Sequence, residues 1–439
     1  VLEFVMALGK EFFKNTFKIA GSAALAQGIG ILTIPIFARL FTPEIVGQYA
    51  LFTSLVGILA VFGSGRYELA LMLPQEKKRA IDIMHGSMFI ALLWSVFLFI
   101  IVLLGKDFLL RIGNYGSIES YVIFIPLAVL FTCWNRILLY WFNRNKQFGK
   151  NALLNIFNSG GTKIVNVGVG VMGFISVASL IFVNLFILFG EFLWRSIICF
   201  KDRNVDYCSV SYYAIKKELI RYKKFPLIDT WNGLLDTGSL LIVPILLSIY
   251  FSDSDVGLYS QSLTLVQLPL ALIASALGQV LFQRLSEAKH NGEIGQVVSD
   301  SFVLLLQIGV PVFLIIFLWG KELFAFFLGD RWAMSGKYAE MLAPWCCLKL
   351  CFSPLSLIFS ILERQGLSLF LTILIIITRI VAIIIGGIYS DIYLSILLFG
   401  ISGVLVNVVG IFFVMILSKQ KWSNLLNALR KSPLDIVRE

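Results

Sequence analysis

The sequence predicts an all-α integral membrane protein of twelve transmembrane helices, set out as two parallel-repeat six-helix bundles. Three observations carry that prediction. Hydrophobic residues make up 58% of the 439 and charged residues 14%, with mean hydropathy +0.88, against about half apolar and a quarter charged in an ordinary soluble domain. Apolar stretches of about 20 residues, enough to cross roughly 30 Å of hydrocarbon as helix, recur along the whole chain. The chain also repeats itself. Ile34-Pro35-Ile36-Phe37 followed by Val46-Gly47-Gln48-Tyr49 returns as Val243-Pro244-Ile245-Leu246 followed by Val256-Gly257-Leu258-Tyr259. Gly105-Lys106-Asp107-Phe108-Leu109 pairs with Gly320-Lys321-Glu322-Leu323-Phe324, and Pro126 with Gln147 pairs with Pro344 and Gln365. The offsets drift from 209 to 218 while the order is kept, as a tandem duplication would leave them.

In chain order the spans fall at 16–40, 46–71, 81–104, 121–142, 151–173, 176–200, 225–250, 256–282, 297–319, 339–361, 367–388 and 391–417. They lack the sustained alternation of a membrane barrel and are twice too long for its strands. Lys10, Lys14 and Lys18 lie before or in the first turn of the first span, but no small-residue cleavage site interrupts its run through Pro35, so it is expected to be a retained helix. Residues 1–200 form the N-terminal bundle, 201–224 a cytoplasmic or interfacial linker, 225–418 the C-terminal bundle and 419–439 a cytoplasmic tail. Within the linker, Tyr212 to Arg221 mixes aromatic and basic residues at helical spacing, which suits either a helix on the inner membrane surface or a solvated connection. Prolines lie in the spans at 35, 126, 244, 269, 311, 344 and 354, where each removes a backbone hydrogen bond. Pro35 and its mate Pro244 stand as symmetric hinges or fixed bends.

With the N-terminus inside, the inner segments hold 24 of the 36 Lys and Arg, whereas the outer loops hold five: Lys106, Arg111, Lys321, Arg331 and Lys337. The positive-inside rule therefore places both termini in the cytoplasm. An even number of spans per half makes the repeats parallel, as in transporters with a central path. The net charge of +10 is explained by loops on anionic headgroups and needs no nucleic acid.

Seven basic residues remain inside the spans: Arg39, Arg66, Arg136, Lys163, Arg195, Lys349 and Arg379. Arg39 and Arg195 lie near span ends and are expected to reach headgroups; Arg66 with Glu68, and Glu191 with Arg195, can also pair locally. Lys163, Lys349 and Arg379 sit near mid-span, where a charge costs about 2.5–3.5 kcal/mol. They suit either pairing with acids or an aqueous cavity that attracts an anion. Span 5 extends a polar stripe through Asn155, Ser159, Thr162 and Asn166, span 7 through Asp229, Asn232, Asp236 and Ser239, and span 8 through Gln261, Thr264, Gln267, Ser275 and Gln279. Asp236, opposite Gln27 in the repeat, is the midplane acid and a candidate for ion coupling, with Asp229 and Glu191 as further candidates; a salt bridge to Lys349 or Arg379 is the alternative.

No catalytic constellation appears, and the chain is not expected to be an enzyme. The six cysteines are mostly within spans and the histidines are His85 and His290, so neither a disulfide framework nor a metal site is expected. A Gly-rich loop with a following Lys-Ser/Thr is lacking, which argues against nucleotide hydrolysis.

Ile34-Pro35-Ile36-Phe37-Ala38-Arg39-Leu40, then Phe41-Thr42-Pro43-Glu44-Ile45-Val46-Gly47-Gln48-Tyr49-Ala50 and Arg66-Tyr67-Glu68-Leu69-Ala70, resemble the opening of bacterial polysaccharide flippases. These are the O-antigen and capsule repeat-unit exporters of the multidrug/oligosaccharidyl-lipid/polysaccharide superfamily, and the resemblance extends over nearly the whole chain. It implies a MATE-like fold in the bacterial inner membrane. It also implies movement of an undecaprenyl-pyrophosphate-linked oligosaccharide between leaflets by alternating access, for O-antigen or capsule. Lys163, Lys349, Arg379, Arg66 and Arg136 would then attract the pyrophosphate along the path. No cofactor is implied beyond Na+ or H+ coupling; the partners are membrane lipids, the lipid-linked oligosaccharide, and polysaccharide polymerase and chain-length proteins. A cation-coupled multidrug antiporter, a lipid II flippase, and a membrane scaffold or ligase of glycan assembly remain as alternatives.

Overall fold

A computed structural model of the chain describes residues 27–112, 115–201, 211–291 and 293–420. Lys10, Lys14, Lys18, Cys208, the 421–439 tail and the side chains of Asp236, Ser275, Gln279 and His290 lie outside the described residues. Among the described residues every regular element is helical. They are α1 (Gln27–Leu40), α2 (Pro43–Gly63), α3 (Tyr67–Ala70), α4 (Lys77–Ile112), a 3-10 stretch (Tyr115–Phe124) leading into α5 (Ile125–Arg144), α6 (Phe148–Val171) and α7 (Val177–Phe200). After them come α8 (Tyr212–Arg221), a π-helical turn (Phe225–Asp229), α9 (Thr230–Tyr250), α10 (Asp253–Asn291), α11 (Ile294–Leu328), a 3-10 turn (Asp330–Trp332), α12 (Ala333–Leu355), α13 (Leu357–Ile361), α14 (Gln365–Ile388) and α15 (Ile392–Leu417). Each predicted span falls on one of these helices or on a consecutive pair. Eight are long and apolar enough to cross a membrane, or nine if the bent pair 225–235 and 237–250 is one span. Of the others, α1 is described over only 14 residues, and α6 carries the asparagines and lysine predicted for span 5.

The duplication is written in the helix ends. Thr42 caps α2, its side chain accepting from Ile45 N–H at 3.5 Å, with Pro43 and Glu44 following. Pro is pre-shaped for the first turn, and an acid there faces the positive end of the helix dipole. The equivalent Ser252 caps α10 reciprocally: Asp255 N–H donates to its hydroxyl at 3.3 Å, and Ser252 N–H donates back to Asp255 Oδ2 at 3.3 Å. Ser176 and Asp391 likewise cap α7 and α15. The turns repeat as well, since left-handed Lys146 and Glu363 precede α6 and α14, and left-handed Gly173 and Ser390 follow them.

Prolines do not set the sharp bends. The 57° bend falls between Leu235 and Thr237, not at Pro244, and Gly233 and Gly238 flank it. In α11 the non-helical residue is Trp319, not Pro311. Pro126 opens α5, where its missing N–H is unused in any case. Pro354 lies one residue before the break between α12 and α13.

The chain divides into two compact units, 1–249 and 250–439. In the first, Leu51, Phe52, Val56 and Ala60 of α2 pack with Ala91 and Leu98 of α4, Ala128, Val129 and Cys133 of α5, and Ile181 and Leu185 of α7. A further cluster gathers Tyr67, Leu71, Ile83, Met84, Ile137, Trp141, Phe142 and Leu154. Helix α9 belongs to this unit; Ile245 packs on the α2 cluster and Leu241 lies over Gly57. In the second, Leu285, Val298, Leu355, Ile358, Phe359, Leu371, Val406 and Val414 form the main cluster. The outward faces stay apolar: Phe89, Leu93, Val96 and Phe97 of α4 are all about half exposed, the surface expected of a helix against lipid.

Where lipid offers no hydrogen bonds, polar groups are satisfied between helices. Trp94 donates to Leu59 C=O at 3.0 Å, Trp134 to Met88 C=O at 3.1 Å and Asn135 to Leu188 C=O at 2.8 Å. The largest such network surrounds Arg195. Expected at a headgroup, this residue is instead fully buried, because Glu191 one turn earlier takes its Nη2 at 2.6 Å and its Nε at 3.1 Å. Its Nη1 donates to Asn151 Oδ1 at 2.6 Å; Asn151 in turn donates to Asn143 Oδ1 at 2.7 Å, and Asn158 donates to Glu191. Arg39 is exposed, as a headgroup-reaching side chain should be.

Two predictions concern stability. Arg195→Leu leaves Glu191 buried and unpaired and should destabilise the detergent-solubilised protein by about 3–5 kcal/mol, whereas E191L/R195L should recover most of the loss; thermal unfolding of the singles and the double reads this out. Gly320 of α11 faces α12 so closely that a Cβ would stand 2.7 Å from Gly336 C=O, while its repeat mate Gly105 has open space around it. Gly320→Ala should therefore lower the melting temperature by overpacking, and Gly105→Ala should leave it unchanged or raise it through better helix propensity.

Candidate functional site

Each unit places mid-span cations differently. In the first unit Lys163 projects from α6 and is half-buried, lying across Gly30 of α1. A Cβ at Gly30 would stand 3.2 Å from Lys163 Cε and 3.3 Å from Cδ, and closer still to Nζ. The same helix pair approaches closely at Gly160, against Ile29, and Gly170 lies against Leu40 and Phe41 just beyond α1. Gly30 is thus a recess for the lysine. Among the described residues no carboxylate forms an ion pair with Lys163. On its helix Asn155 and Thr162 are half-buried, Asn166 is buried and Ser159 is exposed; the Thr162 hydroxyl donates to Asn158 C=O at 2.6 Å.

The second unit gathers its cations on one indole. Trp345 and Lys349 stand one turn apart on α12, with the ammonium 5.2 Å from the Trp345 ring centroid. Arg379 of α14 lies 5.1 Å from the same ring and 5.0 Å from the Phe399 ring of α15. The two rings meet edge to face at 5.2 Å, and Tyr259 of α10 packs edge-on against Phe399 at 6.0 Å. Gly403 forms the floor, since a Cβ there would stand 2.6 Å from Trp345 Cγ. Arg379 is 3% exposed and Trp345 fully buried, whereas Lys349 is half-buried. Aromatic faces attract a cation without cancelling its charge, at about 0.5–2 kcal/mol each.

The turn residues fix the register between α6 and α14. Lys146 and Glu363, before the helices, and Gly173 and Ser390, after them, stand 217 residues apart in both cases. Arg379 therefore matches Thr162, and Lys163 matches Ile380. The two cations occupy adjacent positions, which point about 100° apart around a helix.

The remaining predicted residues have local partners or other placements. Arg66 adopts a left-handed backbone at the start of α3, with its Nη1 3.9 Å from Glu68 and Gly233 against its guanidinium. Glu68 is fully buried and accepts from Ser64 at 2.5 Å. Arg136 donates to Ala60 C=O at 3.5 Å. Glu191 is held by Arg195 and Asn158. Asp229 is half-buried at the end of the π-helical turn, and Asp236 marks the bend in α9. Pro35 is half-buried in α1 and Pro244 buried in α9. Gln261 and Ser239 are buried, whereas Asn232 and Thr264 are exposed. Sequence reasoning missed Trp345, Phe399, Tyr259 and the two recess glycines. Only the one-turn spacing of Trp345 and Lys349 was open to it.

A sequence profile described as "Polysaccharide biosynthesis protein" matches residues 36–336. A Shigella flexneri protein named as an O-antigen transporter is 25% identical over 342 residues, covering 71% of this chain and 75% of its own length. Among solved structures, the lipid II flippase MurJ in an inward closed conformation superposes with TM-score 0.75 at 13% identity, covering 96% of this chain and 90% of that one. The inward-facing conformation of a multidrug resistance MATE family transporter of the MOP superfamily superposes with TM-score 0.71 at 16% identity, covering 90% and 94%. At those identities the structural likeness shows the fold, and the profile spanning more than half of the residues shows the family. The chain therefore belongs to the polysaccharide biosynthesis protein family.

Proposed function

We propose that the protein carries an undecaprenyl-pyrophosphate-linked oligosaccharide from the cytoplasmic to the outer leaflet by alternating access, supplying repeat units for a surface polysaccharide such as O-antigen or capsule. The observation that carries this reading is the gathering of Lys349 of α12 and Arg379 of α14 on the single indole of Trp345. A diphosphate with acidic sugars is the cargo that two cations gathered on one indole would attract. A cationic drug would be repelled by the same groups. Lys163, in its glycine recess, adds a third cation, while Arg66 and Arg136 have lesser claims because Glu68 and a backbone carbonyl already engage them.

Coupling to Na+ or H+ is assigned to Asp229 and Asp236 rather than Glu191, whose carboxylate is committed to Arg195. The bend at Asp236 puts that residue where α9 changes direction. In the cell the protein would work beside a polysaccharide polymerase and chain-length proteins, with its termini in the cytoplasm.

Lys163→Gln, Lys349→Gln and Arg379→Met should each slow flipping of a lipid-linked oligosaccharide in reconstituted vesicles by about tenfold or more, the weight of one charge-assisted contact. Methionine fills the space of Arg379 without its charge, so folding should be kept. Unchanged flipping in all three, with the proteins present in the membrane, would overturn the anion reading.

A further inference from the structure

Helix α8 has two faces of opposite character. Its inner face is fastened to the first unit. Glu218, 4% exposed, accepts from Arg79 Nε at 2.8 Å and Nη2 at 3.0 Å, a bidentate pair. Leu219 C=O accepts from the Tyr67 hydroxyl at 2.8 Å. Ile215 and Leu219 cover Gly86 of α4, where a Cβ would meet both at 3.0 Å.

The outer face is unpartnered. Tyr212 and Tyr213 are each 77% exposed and Ile220 56%, with Lys216, Lys217 and Arg221 exposed between them. The pattern runs on through exposed Lys223, Lys224, Leu227 and Ile228. Glu218 is the one carboxylate of α8 and points inward. The exposed surface therefore holds cations, aromatic rings and aliphatic groups, with no anion among them.

Its height is set by what it is fastened to. The docking residues Arg79 and Gly86 lie in the first turns of the span that runs from Lys77 to Gly105. At 1.5 Å per residue, Arg79 stands about 3 Å from its charged end and Gly86 about 14 Å. Lys77, Lys78 and Arg79 mark the headgroup level, and α8 is fastened from there down to the outer hydrocarbon. An acidic protein or nucleic acid would answer the cations but leave the tyrosines and aliphatic groups in water. A bilayer surface with anionic headgroups answers both, the rings settling at the interface and the basic ends on the phosphates.

We infer that the outer face of α8 is a binding surface for anionic phospholipid headgroups, through which the charge of the leaflet holds the chain that leads into α9. The π-helical turn joins α8 to α9 with Pro226 packed against Gly65, so the helix that bends by 57° starts from this anchored segment. The inference rests on the membrane reading and is independent of the cargo.

The test uses the full chain reconstituted in vesicles of phosphatidylcholine alone or of phosphatidylcholine with phosphatidylglycerol, labelled by a water-soluble amine reagent. Labelling of Lys216 and Lys217 should fall several-fold with phosphatidylglycerol and return in high salt, while Lys337, paired with Glu340 on the second unit, stays constant. Flipping by the wild type should rise with phosphatidylglycerol, and the triple variant K216Q/K217Q/R221Q, altered only on exposed side chains, should lose that dependence. Equal labelling in both vesicles, or protection seen only in native membranes through a protein partner, would overturn the inference. Because labelling does not require transport, its outcome is separate from that of the Lys163, Lys349 and Arg379 variants.

Discussion

Hydrocarbon accepts no hydrogen bond and screens no charge, and the placement of polar groups in this chain follows from that constraint. Three ways of keeping a cation inside a span are visible. Arg195 is enclosed by a carboxylate and an amide. Arg379 and Lys349 rest on aromatic faces. Lys163 lies in a recess made by a missing side chain at Gly30. The three are not equivalent. A carboxylate cancels the charge and leaves a rigid, inert joint between α6 and α7. Rings and a recess hold the group in place through contacts that themselves carry no opposite charge.

Small residues make these arrangements possible. Gly403 lets Trp345 lie flat on α15, Gly30 admits the lysine stem, and Gly320 lets the α11 backbone meet α12. In lipid there is no hydrophobic gain from bringing helices together, so close backbone approach supplies the packing that large side chains supply in water. The same glycines thus fix both the helix spacing and the geometry of the charges.

Much of the fold was legible in the sequence, because span length and the repeat depend on composition and order alone. Helices lie at the described part of the first predicted span and at the eleven later ones, and eight of them, or nine with the bent pair, are long and apolar enough to cross a membrane. The partners of the charges were less legible. The Glu191–Arg195 pair is a local one-turn spacing and could be read, but its burial depends on Asn151, which accepts from Arg195, and Asn158, which donates to Glu191, both from another helix. Trp345, Phe399 and Gly403 come together across α12 and α15, and nothing in a single helix announces that contact. The bend in α9 was not legible either, since it lies at Asp236 between Gly233 and Gly238, eight residues before Pro244.

The two halves agree in backbone and differ in chemistry. Caps at Thr42 and Ser252, and left-handed turns at Lys146 and Glu363, are shared. Helix ends and turns are demanding positions, with unsatisfied backbone groups or sparsely populated angles, and a duplicated chain alters them only at a price. Side chains facing a neighbouring helix are less bound. Tyr49 meets Asn184 in the first half, where Tyr259 meets Phe399 in the second, and Thr162 stands where the second half has Arg379. The shared positions keep the helices in register. The divergent ones decide where each half carries its charge, so the difference in charge placement between the units comes from side chains on a shared backbone plan rather than from any departure in fold.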